Sequence, residues 1–286
     1  MDLFTGGHSG CRGCGAAIAM RQAMQALGPR TIMVIPASCM ATIGGSGLKT
    51  AWNIPFYHSL FACAPAVASG VRAALEIRGI EGVKVVSWAG DAGTADIGFQ
   101  ALSGAAERNE DIIHVCYDNE TYMNTGGQAG GTTPLSAWTP DTPAGKPTKP
   151  KDMPALMAAH RPEYLATASI AYPRDFIEKL KRAAEVKGFC YLHVLAPCHR
   201  GWGIREEETV EMARLAVECG LWILYEERQG RQRLTVVPEK RLPVREYILR
   251  QQRFRECREE DIEALQAEVD QRWQRMAAGA GGEELG

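Results

Sequence analysis

The sequence predicts an α/β fold: a mostly parallel sheet with helices on both faces. Two observations carry this. From Val83 to Tyr117 an apolar strand, a Gly-rich turn, a helix and a second apolar strand follow within about 35 residues, the length of one βαβ unit. Elsewhere, short apolar runs alternate with helical stretches, the pattern of a parallel sheet with crossover helices.

Taken in order, residues 1–15 are rich in Gly and Cys and read as a loop. Ala16–Leu27 (AAIAMRQAMQAL) has helical composition, and Thr31–Ile35 is a short buried strand closed by Pro36. Residues 39–58 read as a Gly-rich loop that runs into Trp52 and its aromatic neighbours. Leu60–Ile77 reads as a helix of small residues suited to close backbone packing. Strand Val83–Trp88 runs into AGDAGTADIG and a helix through Glu107; strand Asp111–Tyr117 runs into DNETYMNTGG. Residues 129–151 turn to Gly, Thr, Pro and Lys and read as a long irregular loop, a kind that is usually functional or disordered. Helix and strand resume over Met153–His160, Tyr164–Ala168, Pro173–Lys187 and Cys190–Leu195, with shorter elements at Leu215–Tyr225 and Arg233–Val237. The expected organisation is one domain over 1–258 with a Cys-rich N-terminal loop, then a charged helix and flexible tail over 259–286. No internal repeat is visible.

Composition narrows the function. The chain has 286 residues, 45% hydrophobic and 23% charged, the range of an ordinary soluble globular protein. A net charge of −2 announces no nucleic-acid surface. No apolar run approaches the roughly 20 residues of a membrane span. Met1-Asp2-Leu3-Phe4 has neither the basic nor the apolar region of a secretory signal, so a cytoplasmic location is expected. Nine cysteines, an odd number without an export signal, point to reduced thiols, metal ligands or catalytic thiols, not a disulfide framework.

The most informative segment is Gly90-Asp91-Ala92-Gly93 through Asn124. A strand ends at Gly90 and a helix begins near Asp96. Such a helix start exposes unpaired N–H groups that favour an anion such as diphosphate. Glycines let the backbone approach it closely. Asp91 can hold the hard cation that neutralises the diphosphate, and Mg²⁺ takes oxygen ligands. The next strand ends in Asp118-Asn119 at the same carboxyl edge, where open α/β sheets gather ligands. Asn119 and a backbone carbonyl such as that of Thr121 are candidates for the rest of the shell. By itself, GDAG is equally an ordinary strand–helix turn with Asp91 as a cap.

Four cysteines lie in turns where thiolates can converge: Cys11 and Cys14 in CRGCG, Cys39 after the first strand, and Cys198 in APCHRGW. Cys63, Cys116, Cys190, Cys219 and Cys257 read as small apolar or surface residues. Four thiolates suit a [4Fe–4S] cluster or a structural zinc, and their spacing does not decide between them. The six histidines, lacking identified partners, read as structural or surface residues.

The span from Gly90 to Asn119 resembles the thiamine-diphosphate signature, which opens Gly-Asp-Gly and closes with Asn; the chain departs from it at Ala92. The segments GDAGTADIGFQALSGAAER, CYDNETYMNTGGQ, KDMPALMAAH, HVLAPCHRGW and LAVECGLWILYE occur in this order. Together, from about Gly10 to Phe254, they resemble the β subunits of pyruvate:ferredoxin oxidoreductases, in the 2-oxoacid:ferredoxin oxidoreductase family.

The resemblance implies a thiamine-diphosphate-binding fold. It implies thiamine diphosphate on Gly90, Asp91, Ala92, Gly93, Asn119, Thr121 and Asn124, with Mg²⁺ on Asp91, Asn119 and Thr121. It further implies one [4Fe–4S] cluster on Cys11, Cys14, Cys39 and Cys198. Asn124 then lies beside the reaction centre; the residues alone equally allow a turn-forming Asn before Thr125-Gly126-Gly127. Thr132 and Thr133 either help close the diphosphate site or serve the loop. The implied reaction is oxidative decarboxylation of pyruvate with coenzyme A, with electrons passing to ferredoxin; oxalate or 2-oxoglutarate are alternative substrates. The residues also leave open a zinc-stabilised binding module. No carboxylate for the aminopyrimidine ring is identifiable here. The family takes that Glu, with substrate contacts, from an α subunit and relays electrons through γ and ferredoxin-like δ subunits. His199-Arg200 departs from the family pattern and, together with Gln128-Ala129-Gly130-Gly131, points to an altered substrate choice or subunit contact.

Overall fold

The computed structural model describes residues 2–279. Its helices are α1 (Gly15–Leu27), α2 (Cys39–Gly44), α3 (Ala64–Ile77), α4 (Phe99–Glu107), α5 (Met153–Ala158), α6 (Pro173–Glu185), α7 (His199–Trp202), α8 (Thr209–Glu218), α9 (Val244–Ile248) and α10 (Glu259–Gly279). Its strands are β1 (Thr31–Pro36), β2 (Phe56–Ser59), β3 (Lys84–Gly90), β4 (Ile113–Asp118), β5 (Tyr164–Ser169), β6 (Cys190–Leu195), β7 (Leu224–Arg228) and β8 (Arg231–Val236).

The strands form one sheet in the order β2-β1-β3-β4-β6-β5-β7-β8. The first six are parallel to their neighbours, while β7 and β8 run antiparallel as an edge hairpin. That hairpin turns on Gln229 and Gly230, both at positive φ, as a tight two-residue loop demands. Strands β4, β5 and β6 are buried at every position, which is why they read as mainly apolar runs without strict alternation: both of their faces are covered. Helix α1 packs with α6, and α3 packs with α4. The fold class is the one the alternation of runs predicts.

Four local readings need correction. Residues 39–58 hold α2 and β2; β2 is a short, half-buried edge strand without the alternation that would betray it. Helix α3 begins at Ala64 rather than Leu60, because Cys63 sits at its N-cap and Pro65 fits only its first turn. Between β3 and α4 the chain forms a π-turn over Ala92–Asp96 before α4 starts at Phe99. Residues 209–218 form α8, and β7 starts only at Leu224.

The 129–151 loop is irregular yet pinned. Thr132, Thr133 and Lys146 are buried, Lys146 Nζ donates to the Thr133 carbonyl at 2.7 Å, and Lys151 Nζ reaches Asp96 Oδ1 at 2.7 Å. Helix α10 packs on α9, and its Trp273 donates to the Gly220 carbonyl at 3.0 Å. Residues 280–286, within the predicted flexible tail, lie outside the described residues.

Candidate active site

The parallel register brings the carboxyl ends of β1, β3, β4 and β6 to one edge. Gly90 pairs with Tyr117 and Asp118 with Leu195, so Asp91, Asn119 and the turn to Cys198 leave the sheet side by side. Gly98 closes the π-turn: a Cβ there would lie 2.0 Å from the Gly93 carbonyl oxygen, so only glycine fits. The anion-facing helix start expected at Asp96 is thus replaced by a wider π-turn that carries Ala92 and Gly93 into the site.

Two carboxylates are buried here, Asp91 and Asp118, each 2% exposed. Burial pushes the Asp91 carboxyl well above its usual range, and the neighbouring Asp118 adds to the rise. Thr132 Oγ1 lies 3.2 Å from Asp91 Oδ2 and 3.0 Å from Asp118 Oδ1. Asn119 Oδ1 is buried with no hydrogen-bond donor. A buried carboxylate beside an orphaned amide oxygen is an arrangement that a hard cation satisfies. Thr121 is buried on the same loop; its hydroxyl donates to the Gln128 carbonyl at 3.0 Å.

Asn124 is exposed at the mouth of the site and accepts from Thr42 Oγ1 at 3.3 Å, which ties it to α2. A cavity of about 100 Å³ is lined by Cys39, Phe61, Asp91, Asn119, Tyr122 and Asn124, among others. One void therefore joins the thiol side to the carboxylate side. Thr133 donates to the Glu120 carbonyl at 2.6 Å and so serves the loop.

The four turn cysteines lie within electrostatic reach of one another. Ser38 caps α2, its hydroxyl accepting from Ala41 N–H at 3.4 Å, and this places Cys39 on the first helical residue. Cys14 and Cys198 occupy the N-caps of α1 and α7. Gly15 permits the approach: a Cβ would stand 2.5 Å from the Pro197 carbonyl oxygen. Burial pushes the thiols of Cys14, Cys39 and Cys198 up, Cys39 to about 12, and neighbouring cysteines add to each. Cys11 is exposed at the outer side. Among the described residues, no three His, Cys, Asp or Glu side chains are gathered closely enough to hold a single metal ion. The remaining cysteines lie apart from this group; Cys116, Cys190 and Cys219 are buried as small apolar residues.

Two histidines prove to be wired into the edge. His114 is buried between Ser87 Oγ (3.0 Å) and Thr94 Oγ1 (3.1 Å), and burial lowers its pKa to about 3, which keeps it neutral. His193 Nε2 meets Asp118 Oδ2 at 2.8 Å, and Tyr191 OH is hydrogen-bonded to its Nδ1 at 2.8 Å.

Sequence reasoning missed the support from the C-terminal segment. Trp202 Nε1 donates to the Asn119 carbonyl at 2.8 Å. Arg253 stacks 3.9 Å over the Trp202 ring and meets Glu120 Oε2 at 2.6 Å, a charge contact rather than an aligned hydrogen bond. Glu120 itself stands at φ 62°, a strained position for a residue with a Cβ. Its carboxyl is raised by burial, and the Arg253 charge opposes that rise. Arg253→Ala is expected to destabilise the chain by about 3–5 kcal/mol, because it leaves a buried charge without its partner. The double variant E120Q/R253M should recover most of that loss. Denaturant midpoints of the full chain measure both, and an Arg253→Ala loss below about 1 kcal/mol would contradict the assignment.

The fold and the edge site define a thiamine-diphosphate enzyme. A family profile, "Thiamine pyrophosphate enzyme, C-terminal TPP binding domain", matches residues 37–194. Pyruvate synthase subunit PorB of Methanothermobacter thermautotrophicus is 50% identical over 94% of this chain and 95% of that protein. Ketoisovalerate oxidoreductase subunit VorB of Pyrococcus horikoshii is 42% identical over 96% of this chain and 92% of that protein. The chain therefore belongs to the 2-oxoacid:ferredoxin oxidoreductases, as a β subunit. A solved 2-oxoglutarate:ferredoxin oxidoreductase from Magnetococcus marinus shares the fold with TM-score 0.62 and 23% identity, over 74% of this chain and 79% of that one.

Proposed function

We propose that this chain, within a complex, carries out oxidative decarboxylation of pyruvate with coenzyme A to acetyl-CoA and CO₂, reversibly, with electrons passed to ferredoxin. The observation that carries the reading is the single cavity lined by Asp91, Asn119 and Cys39, which supports a diphosphate site close to the turn cysteines. Asp91, Asn119 and the carbonyl of Thr121 would hold Mg²⁺; the orphaned Asn119 oxygen fits that role. Gly90, Ala92 and Gly93 line the same cavity and would face the diphosphate, with Asn124 at its mouth toward substrate.

Cys11, Cys14, Cys39 and Cys198 would hold a [4Fe–4S] cluster. Beyond the effect of burial, Cys14, Cys39 and Cys198 are each raised by at least one other of the four thiols, which supports a shared ligand set. Bound thiamine diphosphate supplies the electron sink that decarboxylation of a 2-oxoacid requires. The residues of this chain would hold the diphosphate and set the thiols near it.

Among the described residues lining that cavity, Asp91 is the one carboxylate. This supports an α subunit as the source of the catalytic Glu and of substrate contacts. Relay through γ and ferredoxin-like δ subunits, and a cytoplasmic setting, complete the reading; no described helix is long and apolar enough to cross a membrane. Residues 1–258 would form the cofactor domain and 259–286 an appended C-terminal segment. A second substrate reading, another 2-oxoacid, is favoured by the VorB likeness.

The test is anaerobic purification of the whole complex. It should be brown, with about four each of iron and sulfide for this chain's cluster once those of the other subunits are subtracted. Pyruvate should reduce that cluster faster than oxalate, 2-oxoglutarate or ketoisovalerate. A colourless complex without thiamine diphosphate would end the cofactor reading, and faster reduction by another acid would end the pyruvate reading alone.

A further inference from the structure

Thr132 carries a single hydroxyl hydrogen, yet two buried carboxylates lie within its reach, Asp91 Oδ2 at 3.2 Å and Asp118 Oδ1 at 3.0 Å. The two are not equivalent. Asp118 has other donors: Glu120 N–H reaches Oδ1 at 2.8 Å and His193 Nε2 reaches Oδ2 at 2.8 Å. His193 is itself fixed from behind by Tyr191 OH at 2.8 Å. Among the described residues, Thr132 is the side-chain donor to Asp91.

We infer that Thr132 is a positioning residue for Asp91 as a ligand of a hard divalent cation, and that the Tyr191–His193–Asp118 chain holds the second carboxylate out of that role. The inference rests on the cation site proposed above. With Asp118 satisfied by Glu120 and His193, the Thr132 hydrogen is available to Asp91. It then orients one carboxylate oxygen and leaves the other without a side-chain donor. The burial of Thr132, at 5% exposure, keeps water from supplying the same hydrogen bond. The 129–151 loop is thereby tied to the cofactor site: Gly131 N–H donates to Asp96 Oδ2 at 2.9 Å, which anchors the residue next to Thr132 on the π-turn.

The experiment uses the whole complex stripped of cation and cofactor. Thiamine diphosphate binding is followed by equilibrium dialysis across a Mg²⁺ titration. Thr132→Val keeps the shape and deletes the hydroxyl. It should raise the half-saturating Mg²⁺ concentration about 10-fold or more, the usual effect of removing a group that orients a metal ligand. Binding at saturating Mg²⁺ should stay within about twofold of the parent. Thr132→Ser should restore the Mg²⁺ requirement, which a merely structural role for the methyl group would not do. If Thr132→Val fails to fold, Thr132→Ala carries the same readout. An unchanged half-saturation in the variant, with the parent still Mg²⁺-dependent, overturns the inference alone. A parent whose cofactor binding ignores Mg²⁺ overturns the cation site and the inference together.

Discussion

Asp91→Asn is expected to abolish Mg²⁺-dependent retention of thiamine diphosphate while making the cofactor-free chain more stable. The two effects share a cause. Asp91 is buried against Asp118, and burial first, then that neighbour, raises its carboxyl well above the ordinary range. The folded chain therefore binds the Asp91 proton more tightly than the unfolded chain does. Stability from this group is present at low pH and is lost as pH rises through the folded pKa. An amide removes that penalty, still accepts from Thr132, and lacks the charge that a hard cation requires. The gain should be about 0.5–2 kcal/mol near neutrality, the usual size when a strained functional group is relieved, and it should grow with pH. Thermal midpoints without cofactor, beside dialysis of thiamine diphosphate, measure both halves. A variant that still binds the cofactor in response to Mg²⁺ would remove Asp91 from the ligand set.

Cys198→Ala should lower the iron and sulfide assigned to this chain from about four each to near background while leaving thiamine diphosphate bound. The thiol sits half-buried at the N-cap of α7, with Cys11 adding to the rise in its pKa, which places it near a thiol it would join as a ligand. Nothing in the carboxylate network needs it: the contacts of Asp91, Asp118 and Thr132 run through His193, Glu120 and one another. The two cofactor sites should therefore separate in this variant, and 2-oxoacid-dependent reduction of ferredoxin should fall below detection. Full iron content in the variant would reassign the fourth ligand. Loss of thiamine diphosphate together with iron would show that the two sites fold as one.

Local readings went wrong where the signal was short or where tertiary contacts outweighed propensity. Strand β2 is four residues of half-buried edge, with no covered face to impose alternation. The π-turn at Ala92–Asp96 is set by the Gly98–Gly93 contact, which no propensity reports. The loop at 129–151 read as long and irregular by composition, and its order was not legible: Lys146 and Thr132 bury their polar ends against partners that only the fold supplies.

The sequence by itself determined the α/β class, the strand ends that carry Asp91 and Asn119, and the turn positions of the four cysteines. These follow from nearest neighbours along the chain: apolar runs make strands, and Gly, Asp, Asn and Cys gather in the turns that end them. Tertiary structure alone decided which of those turns meet: parallel register sets Asp91 beside Asn119, and the segments beyond the strand ends bring Cys39 within electrostatic reach of Cys198. It also decided the supports. Thr132 lies 41 residues from Asp91, His193 lies 75 from Asp118, and Arg253 reaches Glu120 from the far end of the chain. Contacts across such separations leave no local periodicity; they form only once burial has brought their polar ends together and made an unpaired one costly.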